Sequence, residues 1–364
     1  MLTQSNKIDF NGQHIYVGID VHLKSWKVTV LTEKLPFKTF SQDPNPEQLH
    51  HYLTRNFPNG IYHSAYEAGF CGYWIHNKLT SLGIKSIVVN PADIPTTDKE
   101  KVQKADKRDS QKIAKALRSG DLKGIHVLSS KTLEDRCLVR TRATIVQDLT
   151  RNKNRIKSFL NFHGIELPEK FKQTNHHWSK RFMAWLKSIE MAEPSAKKSL
   201  NLYINEAEHL RMTILEATLG IRELSEREPY AEKIRLLRGI PGIGIITAMI
   251  IVTELETINR FGNFDKLCSF IGLIPTTHSS GEKENIGEIT HRGNSFLRGA
   301  LVESAWIAAR MDLALNKSYH DYCKRMEPNK AIIRIARKLL NRIRFVLKND
   351  QPYVCAVVKE NITQ

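Results

Sequence analysis

The chain has 364 residues, 41% of them hydrophobic and 26% charged, enough apolar material to bury cores in two or three domains. Against 38 Asp and Glu stand 55 Lys and Arg, a formal net charge of +17 that favours a polyanionic partner, because each phosphate neutralised releases counterions. No apolar run reaches the ~20 residues that cross a bilayer, and Cys71, Cys137, Cys268, Cys323 and Cys355 are scattered without a CxxC pair, which excludes a membrane span, a disulfide scaffold and a zinc finger.

The opening residues MLTQSNKIDFNGQ lack the apolar core of a secretory signal, so a cytoplasmic protein without membrane contact is expected. Next come two runs rich in β-branched residues, Ile15–Val21 and Trp26–Leu31, which predict strands, with a third around Lys38–Ser41. A helix is expected from Pro44 to Asn56, a strand over Ile61–Glu67, a helix over Gly72–Leu82, a strand over Lys85–Asn90 and a helix over Asp109–Arg118. Three strands followed by alternation is not the strict β-α order of a doubly wound nucleotide-binding fold. Beyond residue 131 the strand signals vanish. Long helical patterns over Leu138–Phe162 and Leu200–Arg227 flank a stretch holding Pro168, His176, His177 and Trp178, a pattern that fits an antiparallel coiled-coil arm or an ordinary bundle. From Tyr230 onward the chain reads as helical with Gly-rich turns, including RGIPGIGIITA (238–248) and a loop over Thr276–Asn294.

Asp20 and Glu67 each end an apolar strand, where a carboxylate is costly unless it is paired or holds a cation. Asp106 and Asp109 lie three apart at a helix start and so share a face. If the first and fourth strands are neighbours and a helix packs across their ends, these oxygen donors converge in a set that suits Mg²⁺, with Mn²⁺ able to substitute in part. The plainer alternatives are a strand-end cap for Asp20 and helix-dipole partners for Asp106 and Asp109.

GIDVH (18–22), YEAGF (66–70) and the KADKRDSQKIAKAL stretch (104–117) together resemble the RuvC-like DEDD catalytic domain of a class of bacterial insertion-sequence transposases that includes the Piv-type invertases. LRGIPGIGIITA and FIGLIPTTHSSGEKENIGEITHRGNSFLRGAL resemble the same family's C-terminal transposase domain, so that the likeness covers about residues 14–348. It implies an RNase H/RuvC-like α/β domain with a mixed sheet over 1–125, a helical coiled-coil arm over 126–229, and a mainly α domain with a helix–hairpin–helix-like motif over 230–364. The implied activity is DNA transposition: strand cutting and rejoining by a Mg²⁺-bound site of Asp20, Glu67, Asp106 and Asp109 together with a serine nucleophile. Of the two serines in the loop, Ser280, directly before Gly281, aligns better than Ser279. Donor and target DNA, a structured guide (bridge) RNA and a homodimer or homotetramer are the implied partners. The competing enzyme class is a junction-resolvase-type nuclease without serine chemistry; a non-catalytic nucleic-acid-binding protein is the third.

Candidate phosphate contacts follow from the basic segments. Lys104, Lys107 and Arg108 surround the Asp pair, and Arg334, Arg337, Lys338, Arg342 and Arg344 line a helix with no acidic residue. In RGIPGIG, Arg238, Gly242 and Gly244 are candidates, since a tight turn between helices presents backbone N–H groups; the alternative is a turn that only lets helices pack closely. Lys283, His291 and Arg292 complete the set, His291 standing where the family usually has Lys, which makes a contact there depend on pH.

Overall fold

The computed structural model describes residues 9–34, 36–95, 106–173, 177–280, 283–290 and 292–355, and divides into two compact units, 1–127 and 128–364. Among the described residues no helix is long and apolar enough to cross a membrane.

The first unit is a five-stranded mixed sheet. In chain order it runs β1 (His14–Val21), β2 (Trp26–Thr32), β3 (Pro36–Gln42), α1 (Pro46–Asn56), β4 (Ile61–Glu67), α2 (Trp74–Ser81), β5 (Lys85–Val89) and α3 (Asp106–Ser119). The sheet order is β3-β2-β1-β4-β5. β1 is antiparallel to β2 and parallel to β4, and β4 is parallel to β5. Both faces are covered. Ile15, Val17 and Ile19 alternate along β1 into a core with Leu49, Leu53, Ile75 and Leu79 from α1 and α2. On the other face Ala65 and Val89 pack against Ile113 of α3. Asn45 caps α1 by accepting from the Gln48 N–H, one residue before Pro46, which suits a first helical turn.

The second unit opens with α4 (Ser130–Phe162), followed by α5 (Lys180–Ser188) and α6 (Pro194–Ser225). α4 and α6 pack along each other as an arm; Ile156, Leu160, Leu200 and Ile204 meet Phe171, Phe182 and Leu186 in a core of their own. α7 (Ala231–Arg238), α8 (Ile245–Leu255), α9 (Phe264–Ile271), α10 (Ser295–Met311), α11 (Leu313–Cys323) and α12 (Pro328–Asn349) form the larger core, joined by Val139 and Ile221 from the arm.

Two departures from the sequence reading have physical causes. α4 begins at Ser130 rather than Leu138, because the Ser129 side chain accepts from the Thr132 N–H and starts a helix whose first turns carry no apolar stripe. The segment read as a Gly-rich loop contains an antiparallel pair, β6 (Pro275–Ser280) and β7 (Lys283–Ile289). Its sequence is mostly polar, and the two isoleucines of β7, Ile286 and Ile289, are three apart, so no apolar alternation announced the strands.

Candidate nucleic-acid-processing site

The parallel ladder between β1 and β4 ends at Ile19 opposite Tyr66. Asp20 and Glu67 are each the next residue, so they stand at the C-terminal ends of neighbouring parallel strands, and in-register parallel partners point to one face. That face belongs to α3. Gly18 and Ala65 are paired and share it, and Gly18 is where the helix crosses most closely. A Cβ there would collide with the Ser110 carbonyl oxygen and the Ala114 amide nitrogen, both backbone atoms of α3. The contact is reinforced by hydrogen bonding between the buried Thr29 and Ser110 hydroxyls at 2.9 Å and from Gln111 to Thr39 Oγ1 at 3.2 Å.

The direction of α3 follows from the same contacts. Ser110 meets Thr29, which lies opposite Gly18, whereas the Arg118 guanidinium donates to the Thr32 carbonyl, opposite Ile15. The helix therefore runs antiparallel to β1, and its N-terminal turn, holding Asp106 and Asp109, lies towards the strand ends that carry Asp20 and Glu67. Asp109 accepts from Lys112 at 3.3 Å, and Asp20 lies 3.1 Å from the His22 ring nitrogen. Among the described residues no three His, Cys, Asp or Glu side chains come close enough to hold a metal ion together. Asp106 and Lys107 belong to α3 by their backbone, their side chains being outside what is described; Lys104 lies outside the described residues altogether. Arg108 is exposed.

The serine segment is held from below. Ser280 ends β6 opposite Lys283, the side chains of both being outside what is described, as is all of His291. The base of the hairpin is fixed by two glycines that sit backbone on backbone. A Cβ on Gly293, at φ 111°, would lie 2.6 Å from the Gly272 nitrogen, and Gly272 itself has φ 82°. Arg298 donates to the carbonyls of Thr290 at 2.9 Å and Gly272 at 3.3 Å. Asn294 caps α10 through the Leu297 N–H and donates to Glu254 Oε2 at 2.6 Å. Glu254, 1% exposed, also accepts from Arg140 at 2.6 and 2.9 Å, with Arg136 at 3.6 Å. A buried carboxylate thus ties the base of the arm to the start of the helix after the hairpin. Sequence reading missed Glu254, whose only signal is an acid inside the apolar run of α8.

In RGIPGIG, Gly242 and Gly244 do different things. Gly242, at φ 87°, leaves space that a Cβ would take from the Ser304 carbonyl and Ala308 nitrogen of α10, so its bareness serves packing. Gly244 has open space around it and precedes α8 without a side-chain cap, and Arg238 is an exposed last residue of α7. Arg292 is exposed as well. The α12 cations also separate. Arg334 and Lys338 are exposed, Arg344 is half-buried, Arg337 pairs with Asp265 at 2.7 Å, and Arg342 lies 3.4 Å from the buried Asp312.

A DEDD transposase model of the IS110 type matches residues 17–165, and a model described as "Transposase IS116/IS110/IS902 family" matches residues 234–321. The transposase for insertion sequence element IS1533 of Leptospira borgpetersenii is 29% identical, the match covering 68% of this chain and 72% of that protein. The transposase for insertion sequence element IS1111A of Coxiella burnetii is 25% identical, over 79% of this chain and 78% of that one. A Sinorhizobium fredii protein named "Putative transposase y4qE" is 30% identical over 66% of this chain, and the match spans 57% of that protein's length. Carboxylates on the first and fourth strands with a helix across them, in a chain matched at both ends by transposase models, define a transposase of the DEDD class. The chain belongs to the IS110/IS116/IS902 transposase family.

Proposed function

We propose that the protein cuts and rejoins DNA strands at the ends and target of an insertion element, using the carboxylates of a RuvC-like sheet and a serine of the second unit. The observation that carries this reading is that β1 and β4 end in Asp20 and Glu67 on the face crossed by α3, whose first turn lies towards those strand ends, a close crossing that the bare Gly18 allows. Asp20, Glu67 and Asp109, with Asp106 as the fourth donor, are hard oxygen ligands of the kind Mg²⁺ takes, and Mn²⁺ is expected to substitute in part. A cation held there would supply Lewis-acid charge to the oxygens of a phosphodiester.

The chain's own groups do the rest of the work. Ser280 is the nucleophile: its Oγ gives up its proton and attacks phosphorus, the bridging P–O bond breaks, the departing sugar oxygen takes up a proton to leave as a free hydroxyl, and the other strand end stays attached through a phosphoserine ester. Backbone N–H groups of the serine segment share the developing charge. Exposed Arg292 and Arg238, with the open N-terminus of α8 at Gly244, steer phosphates towards the second unit. Resemblance to the family supports a structured guide RNA and assembly as a dimer or tetramer, and the +17 charge accords with a second nucleic acid.

The serine role is tested by stopping reactions under denaturing conditions and looking for labelled DNA that migrates with the protein. Ser280→Ala is expected to abolish the adduct while DNA binding persists, and Ser279→Ala to reduce it less. An adduct lost only in Ser279→Ala moves the role by one residue. Rejoining that persists in both variants removes serine from the chemistry and favours direct hydrolysis, the resolvase-like alternative.

A further inference from the structure

We propose that the cleft between α9, α11 and α12 is a preorganised pocket for a backbone phosphate of a nucleic acid, with Arg334 and Lys338 as its ligands and Asp265 as a built-in competitor that holds Arg337 back. The proposal rests on the DNA-acting reading above and deepens it. The cleft has a volume of about 430 Å³ and is lined by Phe264, Tyr322, Arg334, Arg337, Lys338 and Arg342, among others. The cations in it are not equivalent, and the differences assign their roles.

Arg334 and Lys338 are one turn apart on α12 and both exposed. Each sits 5.7 Å from the centre of the Tyr322 ring, one stacked cation beside the other, and Lys338 donates to Ser318 Oγ at 3.2 Å. Among the described residues neither makes an ion pair. Two like charges gathered on one ring repel, and an anion between them removes that repulsion. The ring also fixes the cations in place, so less rotamer entropy is lost when a ligand arrives. Arg342 is part of the wall: it lies 3.4 Å from Asp312, whose carboxylate is 1% exposed, and its guanidinium stacks on Tyr353 at 5.5 Å. The Tyr353 hydroxyl donates to the same carboxylate. Arg337 is in an intermediate state, stacked on Phe264 at 5.6 Å and bound to Asp265 at 2.7 Å. Asp265 is 79% exposed, so that pair is weak and exchangeable.

Four cations face two carboxylates, which leaves a surplus suited to a phosphodiester. A strand rather than a small free phosphate is the occupant, because the basic face continues along α12 to Arg344 and the exposed Lys348. A lone phosphate would leave those charges unused.

The test is equilibrium binding of the full chain to a short labelled DNA duplex and to an RNA hairpin across a salt series. Arg334→Ala and Lys338→Ala are each expected to lower the slope of log K against log salt by about one unit. Asp265→Asn is expected to tighten binding roughly two- to fivefold, by freeing Arg337 from an exposed pair. Both kinds of variant alter exposed side chains, and unchanged thermal unfolding establishes that the fold is intact. If wild type binds and the Arg334→Ala, Lys338→Ala double variant keeps the full slope, or if Asp265→Asn weakens binding, the pocket is not a phosphate site. Inorganic phosphate bound as tightly as either strand would overturn the backbone assignment. A wild-type chain that binds neither probe would overturn the DNA-acting reading and the pocket with it.

Discussion

At Gly18 a single missing side chain decides whether α3 can pass close enough for the proposed carboxylate site. The close passage of α3 over β1 depends on it, since a methyl group would meet backbone atoms of Ser110 and Ala114 that cannot rotate aside. Gly18→Ala is therefore expected to cost about 1–3 kcal/mol, as overpacking of a filled core does, and to push the Asp106–Asp109 turn off the strand ends. Gly299 gives the contrast. It lies exposed in α10 with open space where a Cβ would go, so Gly299→Ala should stabilise by roughly 0.5–1 kcal/mol. Urea unfolding of the two variants checks both signs. A Gly18→Ala midpoint equal to wild type would mean that α3 can shift without cost. The role of Gly18 was invisible in GIDVH, where Asp20 draws attention and the glycine is read as part of a motif.

Among the elements, those of the sheet were legible because each is announced by a local pattern. Ile61–Glu67 was expected and found with the same bounds, and placing β1 beside β4 followed from three strands preceding the first helix. Elements whose stability comes from elsewhere were not legible. β6 and β7 lack an alternating apolar pattern, and their base depends on the Gly272–Gly293 stack, Arg298 and Asn294, residues brought together only by the fold. Likewise α12 reads as one uniformly basic helix, yet Arg342 is a structural ion-pair partner and Arg334 an exposed charge; the difference is made by Asp312 on the preceding turn between α10 and α11. At the other end of the β1–β4 ladder, the His14 Nδ1 and His63 Nε2 atoms lie 2.8 Å apart, with Tyr16 stacked on His63 at 5.3 Å. Burial, then the nearby His14 and Lys85, lower the His63 pKa from its ordinary value of 6.5. The unfolded chain therefore takes up this proton more readily than the folded one. Stability contributed by the neutral ring is full at higher pH, and it falls as the pH drops below about 6.5 until the folded ring is itself protonated. Thermal unfolding followed from about pH 8 to pH 5.5 should show a midpoint that declines on the acid side, and His63→Phe should flatten that part of the curve. A His63→Phe profile parallel to wild type would remove the histidine pair from the acid response.

For the whole molecule, two compact units carry complementary halves of the proposed chemistry: oxygen donors at the sheet end of the first, the serine hairpin and basic α12 on the second. A charge of +17 draws nucleic acid to such a chain but does not cut it. Binding and chemistry should therefore come apart in variants. Asp20→Asn and Glu67→Gln each keep the shape of the side chain while removing one anionic ligand, so strand rejoining should be lost with folding and DNA affinity retained. The most direct measurement is strand exchange between two labelled DNA substrates, with and without the proposed guide RNA, in a titration of Mg²⁺ against EDTA. Wild type is predicted to form recombinant strands only when Mg²⁺ is present, and Asp20→Asn and Glu67→Gln to form none at any concentration. Recombination at the wild-type rate in either variant, or in wild type with all divalent cation chelated, would contradict the shared carboxylate site.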